Sequence, residues 1–299
     1  MIRETHAVDK IPTSLSDRLR WDSPWRQALR RLRRNPSGLI GLTILAAMTI
    51  AHLGAPLFTD LDPTALDKRA ILQAPSPEHP FGTDRYGRDL LSRVLYGGRI
   101  SLLVASIVAL VTTCTGVILG SLSGYFPRLD STIMRIMDLV MAFPTIILAI
   151  AIVAILGPQL LNILIALVTV VTPRTSRVVR GVILATKEKE FVLAGRSVGA
   201  GDLRIIFRHL LPSAVPALLV RQTYVFGISI LIEGGLNFLG VGVQPEIPTL
   251  GAVVAEGRQF LREMPWISFY AGMAIALLVL GINLLGDGLR DALDPRMKV

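Results

Sequence analysis

Long runs of apolar residues alternate with shorter polar stretches along the 299-residue chain. A helix needs about 20 mostly apolar residues to cross the hydrocarbon core of a bilayer. Six runs come close to that length or exceed it, and they lie at residues 38–58, 100–124, 133–156, 159–173, 213–240 and 266–286. The pattern therefore predicts an all-α polytopic membrane protein with six transmembrane helices, the fourth of which is short and the fifth long.

The six spans divide the chain into regions. The expected order is an amino-terminal tail (1–37), the first span (38–58), an external loop (59–98), a core region with the other five spans (99–286) that includes a polar loop (187–211), and a carboxyl-terminal tail (287–299). The amino-terminal tail is expected to carry a short amphipathic helix from Trp21 to Arg34 that lies on anionic lipid headgroups.

Local signals refine these elements. From Gly87 onward, apolar residues recur at helical spacing, which predicts an amphipathic helix that leads directly into the second span. Asp130 or Ser131 is expected to cap the helix after the inner turn at 125–132, and Pro144 and Pro216 are expected to kink their helices. The single cysteine, Cys114, lies within the second span, where a small buried residue is the expected role.

Composition and charge support a membrane protein and give it an orientation. Hydrophobic residues make up 52% of the chain, and the mean hydropathy is +0.56. The net charge is +9, and the basic residues cluster in segments 1–37 and 174–211, whereas segments 59–98 and 241–265 are balanced. Because basic loops face the cytoplasm, both termini and the 187–211 loop are expected there. The same distribution, without interleaved aromatic residues, argues against nucleic acid as a partner.

The polar loop contains the stretch FVLAGRSVGAGDLRIIFRHLLP at residues 191–212. A first helix is expected from Phe191 to Val198, and Asp202 is expected to cap a second helix that Pro212 ends. The apolar face of the second helix is predicted to contain Leu203, Ile206, Phe207 and Leu210. Small residues leave one surface of the first helix almost bare, so another protein can approach closely; contact with lipid headgroups is the alternative.

This stretch resembles the EAA loop of bacterial ABC-importer permeases, in which an Ala-rich turn precedes a Gly and later a Leu-Pro. Leu193, Gly195 and His209 depart from that pattern. Three longer stretches, at 79–102, 233–254 and 283–296, look like the corresponding segments of the dipeptide/oligopeptide/nickel permease family, specifically its C-type subunit. The resemblance covers about residues 25–298.

The resemblance implies an ABC importer type I permease fold in the bacterial inner membrane. The partners it implies are a B-type second permease subunit, two ATP-binding subunits, an external substrate-binding protein and a peptide substrate. It makes the loop a coupling segment, with Ala194, Gly195 and Gly199 for close docking on the ATPase, and with Arg196, Asp202 and Arg204 beside them. The chain has no GxxxxGK[ST] motif, so ATP and Mg²⁺ are expected in the partner subunits and no cofactor in this chain.

Ionisable residues within or next to the spans are further candidates, because burying charge in a membrane is costly. Glu233 is expected either to face the translocation path or, as the favoured role, to pack against Asn283 or Arg221. Asp138 is expected to pair with Arg135 one turn away.

In the external loop, Asp84 and Asp89 resemble metal ligands or an acid/base pair, with His79 as the nearby nitrogen donor. Turn capping and ion pairs with Arg85, Arg88 and Arg93 are favoured over a metal site.

Two other functions remain open from the sequence. A proton-coupled secondary transporter needs membrane-embedded carboxylates and commonly shows inverted repeats, and here Glu233 and Asp138 give it little support. A membrane scaffold transports nothing. Within the ABC architecture, nickel complexes or glutathione are alternatives to di- or oligopeptides.

Overall fold

The computed structural model describes residues 24–244 and 247–293, and within these ranges the chain is helical, with one isolated β-bridge between Thr83 and Asp89. The α-helices are α1 (Pro24–Leu32), α2 (Pro36–Leu53), α3 (Ala55–Phe58), α4 (Leu90–Tyr125), α5 (Pro127–Met141), α6 (Thr145–Leu156), α7 (Leu160–Thr186), α8 (Glu190–Ser197), α9 (Asp202–Ile205), α10 (Leu211–Phe238), α11 (Leu250–Gly257) and α12 (Trp266–Leu293). A π-helical turn, Ile206–Leu210, joins α9 to α10, and a 3₁₀ turn, Arg258–Phe260, follows α11.

Five helical segments of the described chain are long and apolar enough to cross a membrane, namely α2, α4, α7, the continuous stretch from α9 through α10, and α12. Helices α5 and α6 together form a sixth candidate, bent by 90°. The six-helix fold predicted from the sequence is therefore confirmed. Parts of both predicted tails, residues 1–23 and 294–299, lie outside the described residues. The predicted amphipathic helix starts at Trp21, which is one of them.

The third span is sharply broken, whereas the sequence predicted only a kink. Pro144 has an extended backbone, with φ −55° and ψ 130°. Proline lacks the amide hydrogen that a helix needs, and its ring disfavours a helical conformation at the residue before it. Helix α5 consequently ends at Met141, and α6 starts in a new direction at Thr145. The predicted cap is also wrong, because Phe126 occupies that position and Asp130 lies inside the helix.

The fourth span is longer than predicted, since α7 continues from the apolar run through the basic stretch to Thr186. Three glycines of α4 at four-residue spacing allow this helix to lie close against it. A Cβ at Gly116 would come within 2.6 Å of Thr175, and one at Gly120 within 2.6 Å of the Ser176 carbonyl oxygen. Small residues at such spacing let membrane helices approach closely. The α4–α7 pair forms the centre of the fold.

The helix predicted before the second span is present as the first turns of α4, but polar and apolar residues of these turns are both buried, so it is not amphipathic as predicted. Asp89 caps this helix, because its carboxylate accepts hydrogen bonds from the Ser92 amide at 2.7 Å and the Ser92 hydroxyl at 2.8 Å. Cys114 lies exposed on the side of α4, so the expectation that it is buried was wrong. The second span faces outward at this position.

Contacts between helix ends show which termini share one end of the bundle. Asn35, before α2, donates to Asp291 near the end of α12 at 3.0 Å. At the other end of α2, His52 contacts the carbonyl oxygen of Leu95 in the first turns of α4 at 3.2 Å. Helix α4 therefore runs antiparallel to α2. The start of α2, the end of α4, the 187–211 loop and the end of α12 all lie at the same end.

Candidate coupling surface

The 187–211 loop forms a compact unit attached to the ends of three spans. Val192 of α8 and Ile205 of α9 are fully buried, and they share a hydrophobic cluster with Tyr125 of α4 and Ile183 of α7. The chain leaves α7 at Thr186 and re-enters the bundle through the π-helical turn. Both ends of the unit therefore continue into spans, and its middle packs on a third span.

Asp202 and Arg196 hold the unit against α4. The Tyr125 hydroxyl donates to the Asp202 carboxylate at 2.5 Å, and the Arg196 guanidinium carbon lies 5.4 Å from the centre of the Tyr125 ring. The predicted capping role of Asp202 is wrong, because Gly201 is the residue before the helix and Asp202 is its first residue. The carboxylate instead fixes α9 to the second span. No sequence signal pointed to Tyr125.

Pro212 does not end the second helix, contrary to the sequence prediction. The Leu211 amide donates to the carbonyl oxygen of Ile206, five residues back, and the chain stays helical from Asp202 to Phe238. A proline ring clashes with the carbonyl group four residues before it in a regular α-helix, and a wider π turn provides a different register at that point. The predicted apolar face is divided between buried and exposed residues.

Two members of that predicted face point outward. Leu203 is 70% exposed and Phe207 is 66% exposed, whereas Ile206 and Leu210 are buried. Val198 at the end of α8 is 84% exposed. We call the outward side of residues 191–207 the coupling surface, and it consists of Phe191, Leu193, Ala194, Gly195, Arg196, Val198, Gly199, Leu203, Arg204 and Phe207. Exposed apolar residues grouped in this way mark an interaction site.

The small residues of the coupling surface differ in how open they are. Ala194, Gly195 and Arg204 line a depression of about 430 Å³ together with the side chain of His209. Gly195 is half-buried, and a Cβ there would lie 3.6 Å from His209 Nε2, an ordinary contact distance. Gly199 has open space around it and a φ of +80°, a conformation that favours glycine. The chain turns there between α8 and α9.

Glu233 lies fully buried within α10 and is hydrogen bonded. Its carboxylate accepts from the Ser101 hydroxyl at 2.9 Å and from the side-chain amide of Asn237 one turn along. Neither of the expected partners is correct, since Arg221 instead contacts Thr175 and Tyr224. The interaction ties the fifth span to the second, as expected of a packing role. Ser101 gave no signal in the sequence, because it belongs to a distant part of the chain.

Asp138 also has a different partner from the predicted one. Its carboxylate accepts from Arg177 of α7, not from Arg135 of its own helix. One turn along α7, Arg180 binds both carboxylate oxygens of Asp130 at 2.6 Å each. These pairs connect α5 to α7 near the coupling surface. They explain why so basic a stretch continues the fourth helix, because carboxylates of the neighbouring helix neutralise two of its arginines.

The external loop carries a buried ion network that contains the predicted Arg88 and Arg93 and one member that the sequence did not reveal; the predicted ion pair of Arg85 is wrong, because its guanidinium lies over the Tyr86 ring. Asp84 accepts from Arg88 at 2.7 Å and from Arg93 at 2.6 Å. Both arginines also bind Glu256 of α11, at 2.8 Å and 2.6 Å. The network fastens the loop and the start of α4 to α11. Its distance in sequence, 163 residues from Arg93 to Glu256, is the reason that it was missed.

The second candidate carboxylate of this loop has its own partner. His79 Nδ1 lies 2.9 Å from the Asp89 carboxylate, which also caps α4. Within the described ranges, no group of three or more His, Cys, Asp and Glu side chains is arranged to hold a metal ion.

The helical fold is one that a solved ABC transporter structure shares. A solved structure of the methionine ABC transporter MetNI, in inward-facing conformations, shares the fold with a TM-score of 0.57 at 19% sequence identity, over 68% of this chain and 96% of that one.

The family follows from sequence comparison. The model of the binding-protein-dependent transport system inner membrane component matches residues 116–299, and that of the N-terminal transmembrane domain of oligopeptide transport permease C matches residues 23–75. The chain belongs to the binding-protein-dependent transport permease family.

Two relatives illustrate the similarity. A putative peptide transport system permease protein of Brucella suis is 46% identical over 96% of this chain and 97% of its own length. The dipeptide transport system permease protein DppC of Alkalihalophilus pseudofirmus is 43% identical over 92% and 91%. The similarity thus extends over nearly the whole chain, including the coupling surface.

Proposed function

We propose that this chain is the C-type permease subunit of an ABC importer for di- or oligopeptides, and that its coupling surface docks on an ATP-binding subunit. The observation that carries the proposal is the combination of an outward apolar surface with a rigid attachment to three spans. Relatives named for dipeptide or peptide transport support the substrate class.

The proposed assembly has three kinds of protein partner. A B-type permease completes the translocation path, two ATP-binding subunits hold ATP and Mg²⁺, and an external binding protein delivers the peptide. The chain lies in the bacterial inner membrane with both termini in the cytoplasm. Support comes from the basic residues, which concentrate at the bundle end that carries the coupling surface, as the positive-inside rule requires.

The mechanism is alternating access driven by the partner ATPases. Closure of the ATP-binding subunits displaces the docked unit, and the buried Val192 and Ile205 transmit the displacement to the spans. The hydrogen bond between Tyr125 and Asp202 makes α4 follow the same movement. Packed helices with defined contacts move as rigid bodies in such transitions.

The docking step is tested at Ala194, an exposed residue with a regular helical backbone. Ala194→Trp fills the depression that the partner would occupy, whereas Ala194→Ser leaves it open. Gly199 is a poorer position, because its positive φ strains any other residue. We expect Ala194→Trp to reduce the ATPase activity stimulated by loaded binding protein at least about tenfold, and Ala194→Ser to behave as wild type. Equal stimulation in both variants would refute docking at this surface.

The substrate class is tested by uptake in a strain that lacks only this chain. Labelled dipeptides, longer peptides, glutathione and a nickel complex are supplied separately, with and without a plasmid that restores the chain. We expect restoration of peptide uptake. Restoration of nickel or glutathione uptake alone would reassign the substrate while leaving the ABC permease function intact.

A further inference from the structure

A cavity of about 370 Å³ lies between α6, α7 and α10, beside the break in the third span. Most of its wall is aliphatic, but two arginines, Arg174 of α7 and Arg221 of α10, line it together with Tyr224 and Thr145. Arg174 is 12 residues from the inner end of α7 and Arg221 is ten from that of α10. At 1.5 Å per residue, they lie roughly 15 to 18 Å along their helices from those ends, where Arg174 is exposed and Arg221 is half-buried.

Three arginines of α7 are spaced one helical turn apart, at positions 174, 177 and 180, and Arg174 is the one farthest from the Thr186 end. Arg177 and Arg180 pair with the carboxylates of Asp138 and Asp130 on α5. Helix α5 ends at Met141 and the chain turns away, so α5 supplies no carboxylate at the level of Arg174. Within the described residues, 24–244 and 247–293, no side chain forms a salt bridge or hydrogen bond with Arg174. The break in the third span leaves Arg174 without a carboxylate partner on α5, at the open side of the cavity.

Arg221 is only weakly satisfied. Its Nε lies 3.4 Å from the Thr175 hydroxyl, and its guanidinium carbon is 4.8 Å from the centre of the Tyr224 ring. Cationic side chains within a membrane span are costly unless they face a functional cavity or a partner charge. Two such groups on one cavity repel each other, and a bound anion stabilises both. The guanidinium fork matches the geometry of a carboxylate.

We propose that this cavity binds the terminal carboxylate of the transported peptide, with Arg174 and Arg221 as its two ligands. The inference rests on the proposed function and adds a site to it. Every unmodified linear peptide has one such carboxylate whatever its sequence, and aliphatic walls accept varied side chains. The other candidate occupant is an acidic side chain of the second permease subunit, which would make these arginines part of an interface.

The experiment compares a peptide with its carboxyl-terminal amide in the complete importer, reconstituted in liposomes with its binding protein. Import rates are measured for wild type, Arg174→Gln, Arg221→Gln and Arg177→Gln. The last is the control, because Arg177 lies on the same helix and pairs with Asp138 outside the cavity. The binding protein is the same throughout, so its own preference cancels when acid-to-amide ratios are compared between variants.

We expect Arg174→Gln and Arg221→Gln each to lower the acid-to-amide ratio about tenfold, mainly through slower import of the acid, and Arg177→Gln to leave it unchanged. A ratio that stays at the wild-type value in both cavity variants overturns the proposal. Loss of the permease pair on size-exclusion chromatography also overturns it and assigns the arginines to the subunit interface. If wild type imports neither peptide, the proposed function itself fails, a result distinct from an unchanged ratio.

Discussion

Replacing Arg93 with methionine tests whether the buried ion network fixes the external loop to the membrane domain. Arg93 is 1% exposed and donates to Asp84 at 2.6 Å and to both oxygens of Glu256, at 2.6 and 3.0 Å. Methionine retains the apolar stem but removes the charge. The change leaves two carboxylates with fewer partners in a buried setting, and this is the main source of the expected destabilisation.

The magnitude follows from what remains after the substitution. Removing one member of a buried ion pair costs about 3–5 kcal/mol when the other charge is left without a partner. Here Asp84 keeps Arg88 and two backbone amides, those of Tyr86 and Arg88, and Glu256 keeps Arg88. We therefore expect the lower end of that range, about 3 kcal/mol, which corresponds to a thermal midpoint lower by roughly 6 to 10 °C.

The assay is thermal unfolding of the purified complex in detergent, followed by loss of monodisperse protein. Arg85→Met is the matched control, because Arg85 is exposed and, among the residues that the structure describes, has no salt bridge and lies 4.6 Å from the Tyr86 ring centre. We expect the control to cost less than about 1 kcal/mol. If Arg93→Met and Arg85→Met shift the midpoint equally, the network does not stabilise the fold and the reasoning is refuted.

Two further predictions concern the attachment of the coupling surface and the shape of the external loop. Tyr125→Phe removes the hydrogen bond to Asp202, which is worth about 1.5–3 kcal/mol for a charged acceptor. Peptide uptake per ATP hydrolysed should therefore fall while the complex still assembles. Unchanged uptake per ATP would contradict the proposed transmission through α4. Gly87→Ala should sharply reduce the yield of folded protein, because the φ of Gly87 is +75° and a Cβ would overlap the carbonyl oxygen of Asp67. The control Gly181→Ala, on an open helix face, should leave the yield unchanged in the same expression test. Equal yields of the two variants would argue against the loop geometry.

Helix number and type were predictable from the sequence because each span must satisfy its own backbone within a long apolar run. Where the prediction failed, long-range contacts or backbone register decide the structure. The apolar composition of 133–156 gives no sign that the chain turns by 90° near Pro144. Leu203 and Phe207 are exposed because Ile205 and Ile206 form the side that packs on the bundle, and periodicity alone does not show which side that is.

The candidate site residues were partly predictable for the same reason. Small and charged residues between two spans indicated the coupling surface, since such a loop is unusual in a membrane protein. The roles of Asp202 and Glu233 were wrong in detail, because their partners Tyr125 and Ser101 lie 77 and 132 residues away. The cavity around Arg174 becomes visible only once the break in the third span is placed beside α7.

The most direct test of the central claim is photo-crosslinking from the coupling surface. A benzoylphenylalanine residue is introduced in place of Val198, which is 84% exposed, or in place of Ile155, which is 83% exposed at the end of α6. Membranes that contain the complete importer are irradiated, and the products are identified by mass spectrometry. The account predicts crosslinks from position 198 to an ATP-binding subunit and none to that subunit from position 155. Crosslinks from position 198 to lipid alone would contradict it.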